Sequence, residues 1–149
     1  MTKRKILKLV GINLITLSLF IFDRFLKKIA LIGFEKDFGL VKFSLWQNPG
    51  LALNVPILNI FFYPIVLVVL FLLISQLIKS YQKEKKLKVF GLSLIIVGAL
   101  SNLFDRLLYG RVIDYIAVPL TVFNLSDLMI IVGVLIVLFD YLKIKKAVK

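Results

Sequence analysis

The sequence predicts an all-α membrane protein with four transmembrane helices and with both termini in the cytoplasm. The chain has 149 residues and is 60% hydrophobic, whereas soluble domains average about 45–50%. Four apolar segments each approach the roughly 20 residues that a helix needs to cross a bilayer core of about 30 Å. They run over residues 7–30, 57–78, 89–108 and 125–142. We therefore expect a single membrane-embedded domain over residues 1–149.

Basic residues define the orientation of these spans. Three clusters lie before the first span, between the second and third, and after the fourth. Four spans place all three on one face, which the positive-inside rule makes cytoplasmic. The formal charge of +12 is therefore first a topology signal and argues against a nucleic-acid partner, with binding to anionic lipid head groups as a secondary effect. The clusters are Lys3, Arg4, Lys5 and Lys8; Lys79, Lys83, Lys85, Lys86 and Lys88; and Lys143, Lys145, Lys146 and Lys149.

The first span is the weakest, because Asp23 and Arg24 interrupt its apolar run Leu7–Phe22. The apolar pattern resumes after them and continues to about residue 30. A cleaved signal peptide is the alternative interpretation, but no small-x-small cleavage site follows the run. We expect a retained helix in which Asp23 and Lys27, at i,i+4 spacing, form an ion pair.

The two outer connections carry strand signals. In the first, Leu40–Trp46 partly alternates apolar and polar residues, as a half-exposed strand does. Asn48-Pro49-Gly50 after it predicts a turn. In the second, Val112–Ile116 is an apolar strip with one acid, Asp114, at its centre. Three aromatic residues of these regions suit a membrane interface: Trp46, Tyr109 and Tyr115.

The absence of histidine and cysteine limits the chemistry. The chain contains neither residue, which excludes a Ser–His pair, a thiol protease and zinc sites built on His or Cys. Catalysis must then come from carboxylates, hydroxyls, Lys or Arg. We expect neither a metal ion nor a cofactor.

Three aspartates converge at one depth. Asp105 lies about 25 Å outward from Lys88 along the third helix, and Asp127 lies about 24 Å outward from Lys143 along the fourth, at about 1.5 Å per residue. Asp114 lies in the segment that joins these two helices. An ionisable residue within a membrane is a functional-site hypothesis by default. The cluster therefore predicts a site at the outer edge of the hydrocarbon layer.

Paired carboxylates offer one chemistry for this cluster. Like-charge repulsion lets two carboxylates share a proton, so that one activates water and the other protonates a carbonyl oxygen, as in aspartic proteases. Each acid also has a structural interpretation. Arg106 can neutralise Asp105, Asp127 can serve the helix dipole three residues after Asn124, and Asp114 can be solvated.

Two other classes of function stay open on the residues alone. A small transporter or channel could use the acids for proton or cation coupling, and a non-catalytic membrane assembly subunit would use them structurally. A transporter should place its key charge near the bilayer midplane. These acids map to the outer boundary instead, which favours a peptidase.

Four successive motifs resemble those of the lipoprotein signal peptidase (signal peptidase II) family. Their joint occurrence is specific, and together they cover most of the chain in the right order. Asp23 and Lys27 also match an acid and a lysine that this family carries near the end of its first helix. The motifs are Asn48–Ala52, Gly98–Leu107, Gly110–Ile116 and Phe123–Asp127.

The resemblance implies an intramembrane aspartic endopeptidase with a small extracytoplasmic β-cradle beside its four helices. Such an enzyme lies in the bacterial cytoplasmic (inner) membrane with its active site near the outer face. It removes signal peptides from prolipoproteins, cleaving before a cysteine that carries a diacylglyceryl group. The implied partners are these substrates and membrane lipids, with no obligate protein partner.

The resemblance also assigns roles to residues. The catalytic dyad falls on Asp114 and Asp127, and Asp23 and Lys27 are structural. The positions that bind substrate or support the dyad are Asn48, Gly50, Asn102, Asp105, Arg106 and Asn124.

Some positions depart from the usual family pattern. Arg24 stands where the family usually has Gln, Ser101 where it has Gly, and Ser126 where it has Ala. Ser126 can add a hydrogen bond to a dyad carboxylate, and Pro49 and Leu51 can reshape the substrate groove.

Overall fold

The computed structural model describes residues 3–50 and 59–147 and contains four long helices and a small sheet. The motif residues Leu51 and Ala52 and the start of the predicted second span lie outside the described residues. The helices are α1 (Lys3–Leu31), α2 (Asn59–Gln82), α3 (Lys86–Tyr109) and α4 (Leu125–Ala147). The strands are β1 (Lys36–Asp37), β2 (Lys42–Asn48), β3 (Val112–Val118) and β4 (Thr121–Phe123).

All four helices are long and apolar enough to cross a membrane. Their spanning segments have mean hydropathies between 1.8 and 2.2, and large apolar side chains such as Phe71 and Leu135 lie on the outside of the bundle. Helix α1 continues through Asp23 and Arg24, as expected. The chain is therefore a multi-pass membrane protein.

Helix α3 is the central element, since α1, α2 and α4 all pack against it. Glycines allow α3 and α4 to approach closely. A Cβ atom at Gly133 would lie 2.6 Å from the carbonyl oxygen of Gly91, and one at Gly98 would lie 2.6 Å from that of Ser126. Small residues at a helix interface allow this contact because van der Waals packing, not hydrophobic burial, drives helix association in lipid.

The sheet joins the two outer connections. It is antiparallel with the order β1-β2-β3-β4, so that β2, which follows α1, pairs with β3, which follows α3. Within this pair Trp46 faces Asp114. The strand predicted at Leu40–Trp46 begins and ends two residues later than expected, while the predicted strip Val112–Ile116 lies within β3. The small sheet thus lies at the helix ends opposite the lysine-rich loop.

Of two further predictions for the outer connections, one is confirmed and one is wrong. The turn predicted at Asn48–Gly50 is confirmed, since the Gly50 N–H donates to Asn48 Oδ1 at 3.0 Å in an Asx turn. The prediction of Tyr115 at the membrane interface is wrong. Its side chain is 0% exposed and its ring packs 5.4 Å from that of Phe43. Trp46 and Tyr109 remain exposed.

Candidate active site

Asn124 brings Asp114 and Asp127 to one site. Asp114 is the third residue of β3, and Asp127 lies in the first turn of α4. The Asn124 side-chain amide donates to Asp114 Oδ1 at 2.6 Å, and its main-chain N–H donates to Asp127 Oδ2 at 3.1 Å. The interpretation of Asp114 as a solvated loop residue is wrong, because its side chain is 2% exposed.

Asp127 also serves the start of α4. Its N–H donates to Asn124 Oδ1 at 2.9 Å, while its carboxylate accepts from the Asn124 N–H. This reciprocal arrangement is a capping box, which satisfies N–H groups that the first turn of a helix leaves unpaired. The structural interpretation of Asp127 and its place at the site are therefore compatible, since one carboxylate oxygen caps the helix and the other faces Asn102.

Each oxygen of the Asp114 and Asp127 carboxylates accepts a hydrogen bond from an asparagine. Asn102 donates from its amide to Asp127 Oδ1 at 2.8 Å, and Asn48 donates to Asp114 Oδ2 at 3.3 Å. Asn124 supplies the donors to the remaining two oxygens. Neutral donors orient a carboxyl group without supplying a full positive charge. The arrangement therefore holds the pair in place and leaves it able to exchange a proton.

The protonation of Asp114 reflects its surroundings. Burial first, and the nearby charge of Asp127 second, raise the pKa of Asp114 to about 6. Hydrogen bonds from Asn48 and Asn124 and the charge of Lys27 oppose this rise. Asp114 is thus poised to gain or lose a proton close to neutral pH.

Asp105 lies in a separate ion cluster. Its Oδ2 is 2.6 Å from Lys27 Nζ and accepts from the Ile113 N–H at 3.2 Å, and its Oδ1 contacts the Arg24 guanidinium. The predicted neutralisation of Asp105 by Arg106 is wrong, because among the described residues its ionic partners are Arg24 and Lys27. Two cations and a main-chain donor suit a structural role for this carboxylate, at the junction of α1, α3 and β3.

Arg106 instead holds the loop after β2. Its guanidinium donates to the carbonyl oxygen of Gly50 and lies over the Phe62 ring, 4.7 Å from the centroid. Sequence adjacency suggested Asp105 as its partner, but consecutive residues on a helix point about 100° apart. Arg106 therefore connects α3 to the first outer connection.

Lys27 links this ion cluster to the asparagines. Its ammonium is 3.3 Å from Asp23 Oδ2 and donates to Asn102 Oδ1 at 3.0 Å, in addition to its contact with Asp105. The predicted ion pair of Asp23 and Lys27 is confirmed, and both side chains are 0% exposed. A buried charge of this kind needs several partners to offset its desolvation.

Asp23 accepts the hydrogen bonds of a second buried network. Both Ser101 Oγ and Ser126 Oγ donate to its Oδ2 at 2.6 Å, and the Tyr115 hydroxyl donates to its Oδ1 at 2.9 Å. The expectation that Ser126 bonds a dyad carboxylate is wrong, because its hydroxyl points to Asp23. Burial raises the pKa of Tyr115, so its hydroxyl stays protonated and remains a donor.

Sequence reasoning missed the functions of three residues in these clusters: Arg24, Ser101 and Tyr115. Their polar partners lie on other elements, and no spacing along the chain reveals such contacts. For Arg24 and Ser101 the available signal is a polar side chain inside an apolar span, since such a group needs a partner in a membrane. Among the described residues, no group of three or more His, Cys, Asp or Glu is arranged to hold a metal ion.

Comparisons with known proteins agree with this architecture. A family described as Signal peptidase (SPase) II matches residues 15–143. A protein named lipoprotein signal peptidase from Wigglesworthia glossinidia brevipalpis is 33% identical over 140 residues, which cover 86% of this chain and 92% of the relative. One of the same name from Caldicellulosiruptor bescii is 34% identical over 140 residues, covering 87% and 89%.

Two solved structures of bacterial membrane enzymes, obtained by the in meso method, share the fold. The first superposes with a TM-score of 0.78 at 23% identity and covers 93% of this chain and 92% of its own. The second has a TM-score of 0.74 at 25% identity and covers 89% and 93%. Since the family match spans both outer connections and all four helices, the chain belongs to the signal peptidase II family, a family of proteases.

Proposed function

We propose that this chain is an aspartic endopeptidase with Asp114 and Asp127 as its catalytic dyad. The observation that carries the proposal is the bridge made by Asn124, which donates to one carboxylate from its side chain and to the other from its main chain. A bridge of this kind holds two acids from different elements at one site. The buried surroundings of Asp114 and its pKa near 6 support a pair that shares one proton.

The proposed reaction uses this proton in two steps. The ionised carboxylate removes a proton from water, whose oxygen attacks the carbonyl carbon of the scissile peptide, while the protonated carboxyl donates to the carbonyl oxygen. The tetrahedral gem-diol then collapses: the carboxylate that gave up its proton takes one back from a hydroxyl of the intermediate, the C–N bond breaks, and the leaving nitrogen takes the proton that came from water. Asn102, Asn48 and Asn124 keep both carboxyl groups oriented throughout, which lowers the cost of reorganisation.

The proposed substrates are bacterial prolipoproteins, because the relatives are named lipoprotein signal peptidases. Cleavage would come before a cysteine that carries a diacylglyceryl group. A dyad near the outer edge of the spans suits a scissile bond close to the membrane surface, and we expect Gly50 and Arg106, which contact each other, to shape the substrate path. The proposal needs no cofactor, metal ion or obligate protein partner.

In the proposed topology the chain lies in the inner membrane of a bacterial cell. Both of its termini are in the cytoplasm. This topology rests on the lysine clusters of the inner loop and the two ends and on the positive-inside rule. The sheet then forms an extracytoplasmic cradle beside the dyad, and residues 1–149 act as one membrane-embedded domain.

A processing assay tests the dyad. We expect Asp114→Asn and Asp127→Asn each to lower the rate of prolipoprotein cleavage at least about a thousandfold, because neither half of a dyad works alone. Asp140→Asn is the matched control, since it removes the same charge from the other end of α4, and it should cleave at the wild-type rate. Full activity in a correctly inserted dyad variant would disprove the assignment. Robust ion flux in proteoliposomes without cleavage would support a transporter instead.

The absence of cysteine makes the topology directly testable. Single Thr121→Cys and Lys83→Cys variants place a thiol on the sheet and on the inner loop, at exposed positions. A membrane-impermeant maleimide should label the first in intact spheroplasts and the second only after permeabilisation. The reverse pattern would overturn the orientation.

A further inference from the structure

An apolar groove lies at the lysine-rich end of the bundle, away from the candidate dyad. Helices α2 and α4 both pack against α3 and leave between them a space of about 540 Å³. Its floor is formed by Leu92 and Ile95 of α3, and its walls by Leu73 of α2 and by Val134 and Leu138 of α4. This volume is in the range of sites that bind small molecules, about 300–1,000 Å³.

The groove is distinct from the carboxylate site. Asp105 lies about 20 Å from Leu92 along α3, at about 1.5 Å per residue. The floor and walls are hydrocarbon side chains, so this part of the groove offers water no hydrogen-bonding partners. An occupant of the groove must therefore present an apolar chain to it.

The mouth of the groove carries charge. Lys85 and Lys88 line it from the start of α3, and Asp140 and Tyr141 line it from the last turns of α4. The side chain of Lys85, the N-cap residue of α3, makes no capping hydrogen bond, and the first N–H groups of the helix add to the positive potential there. Phosphate groups bind at such helix ends when cations lie beside them.

We infer that this groove binds one anionic glycerophospholipid. One acyl chain lies along Leu92 and Ile95, and the phosphate lies between Lys85 and Lys88. The carboxylate of Asp140 accepts a hydrogen bond from a hydroxyl of the head group. The inference is independent of the proposed peptidase function. Only the leaflet in which the lipid lies, the cytoplasmic one, depends on the proposed topology.

Charge complementarity selects an anionic lipid over a zwitterionic one. Among the residues that line the mouth, Lys85 and Lys88 outnumber Asp140, which leaves the mouth with a net positive charge. Basic pockets between transmembrane helices on this side of a membrane bind anionic head groups.

Native mass spectrometry of the purified chain, titrated with defined lipids, tests the site. We expect one tightly retained dioleoyl phosphatidylglycerol, with at least about fivefold preference over dioleoyl phosphatidylcholine. A Lys85→Gln/Lys88→Gln variant should lose this preference. The matched control, Lys79→Gln/Lys83→Gln, removes the same charge outside the groove and should keep it. Equal losses in both variants, or equal retention of both lipids by the unmodified chain, would overturn the inference.

A second variant tests the acyl part of the site without changing charge. Val134→Trp fills the groove from a wall position that is 48% exposed, so the bundle can accommodate it. We expect it to reduce retention of the lipid at least about fivefold, while the melting temperature and the processing rate stay near those of the unmodified chain. Undiminished retention in this variant would overturn the placement of the chain, and a retained second copy of the protein instead of lipid would overturn the inference as a whole.

Discussion

Lys27 orients Asn102. The ammonium of Lys27 donates to Asn102 Oδ1 at 3.0 Å, which leaves the amide nitrogen of Asn102 to donate to Asp127 at 2.8 Å. The carbonyl and amide ends of Asn can exchange by a flip, but an ammonium group only donates. The Asn124 amide donates to the same oxygen at 3.2 Å, so a buried cation on α1 and this amide together determine which end of an asparagine on α3 faces a carboxylate on α4.

The first prediction concerns Lys27→Met. This change leaves the carboxylates of Asp23 and Asp105 without their shared cation, and breaking a buried ion pair costs about 3–5 kcal/mol. It also removes the shorter of the two hydrogen bonds to Asn102 Oδ1 and leaves the one from Asn124, which weakens the hold on the orientation of Asn102. We expect a lower melting temperature in detergent and a cleavage rate reduced about 10- to 100-fold.

A double variant separates these two effects. Lys27→Met combined with Asp23→Asn removes the carboxylate that loses its cation and should recover part of the melting temperature, whereas Asp105 keeps Arg24 as its partner. It should not recover cleavage, because Asn102 Oδ1 still lacks the ammonium donor of Lys27. Recovery of both quantities together would show that Lys27 acts on stability alone.

The second prediction concerns pH. The dyad needs one proton, and the pKa of Asp114 is raised to about 6, so kcat/KM should fall as pH rises through about 6 and both carboxyls ionise. Asn48→Ala removes a hydrogen bond that lowers this pKa. The alkaline limb of the pH profile of kcat/KM should then move to higher pH. The measurement is cleavage at subsaturating substrate over pH about 4.5–8.5. A shift to lower pH would contradict the role of Asn48, and Asp140→Asn should produce no shift.

The third prediction concerns the two serines that share one oxygen of Asp23. Ser101→Ala and Ser126→Ala each remove a donor at 2.6 Å from Asp23 Oδ2. We expect each to cost about 1–3 kcal/mol in the free energy of unfolding. Because they share an acceptor, a double-mutant cycle should give a coupling of about 0.5–3 kcal/mol. Additive losses would show that the two hydroxyls act independently.

The fourth prediction compares two glycines of α3. A Cβ at Gly98 would lie 2.6 Å from the Ser126 carbonyl oxygen, whereas one at Gly91 would lie 2.9 Å from the Gly133 carbonyl oxygen. Gly98→Ala and Gly91→Ala should each destabilise the bundle by about 1–3 kcal/mol through overpacking.

Their effects on cleavage should differ. Gly98 packs against the turn of α4 that carries Asp127, so its variant should lose more than about tenfold in rate, as a displacement of about 1 Å can cost far more. Gly91 packs near the lysine-rich end, and its variant should lose less than about threefold. Equal losses would indicate that the rate follows stability and not the position of α4.

The spans were predictable because length and hydropathy depend only on the residues of each segment. The structure extends the predicted 125–142 to α4, Leu125–Ala147, since polar ends of a helix carry no hydropathy signal. Asp23 and Lys27 were also predictable as a pair, because i,i+4 spacing places them on one face of one helix.

Contacts between elements were not predictable in this way. Adjacency suggested Arg106 for Asp105, yet Arg24 and Lys27, both on α1, contact this carboxylate. Tyr115 has the amphipathic character of an interface residue, yet its hydroxyl reaches Asp23 and its ring is buried. The partners of Asp105 and Tyr115 depend on which side chains approach them from other helices.

The sequence by itself predicted four membrane-spanning helices, which the structure contains, and acids that lie at one depth. Hydropathy, charge and helical rise are properties of single segments, and they suffice for this. Only the tertiary structure decided which acids lie together, Asp114 with Asp127, and which one, Asp105, lies in a separate ion cluster. Close packing of α3 against α4 and pairing of β2 with β3 place Asn124 between Asp114 and Asp127, while α1 supplies the cations that hold Asp105 apart. The physical reason is that a buried carboxylate is oriented by whichever donors surround it in space, and these donors come from different helices and strands.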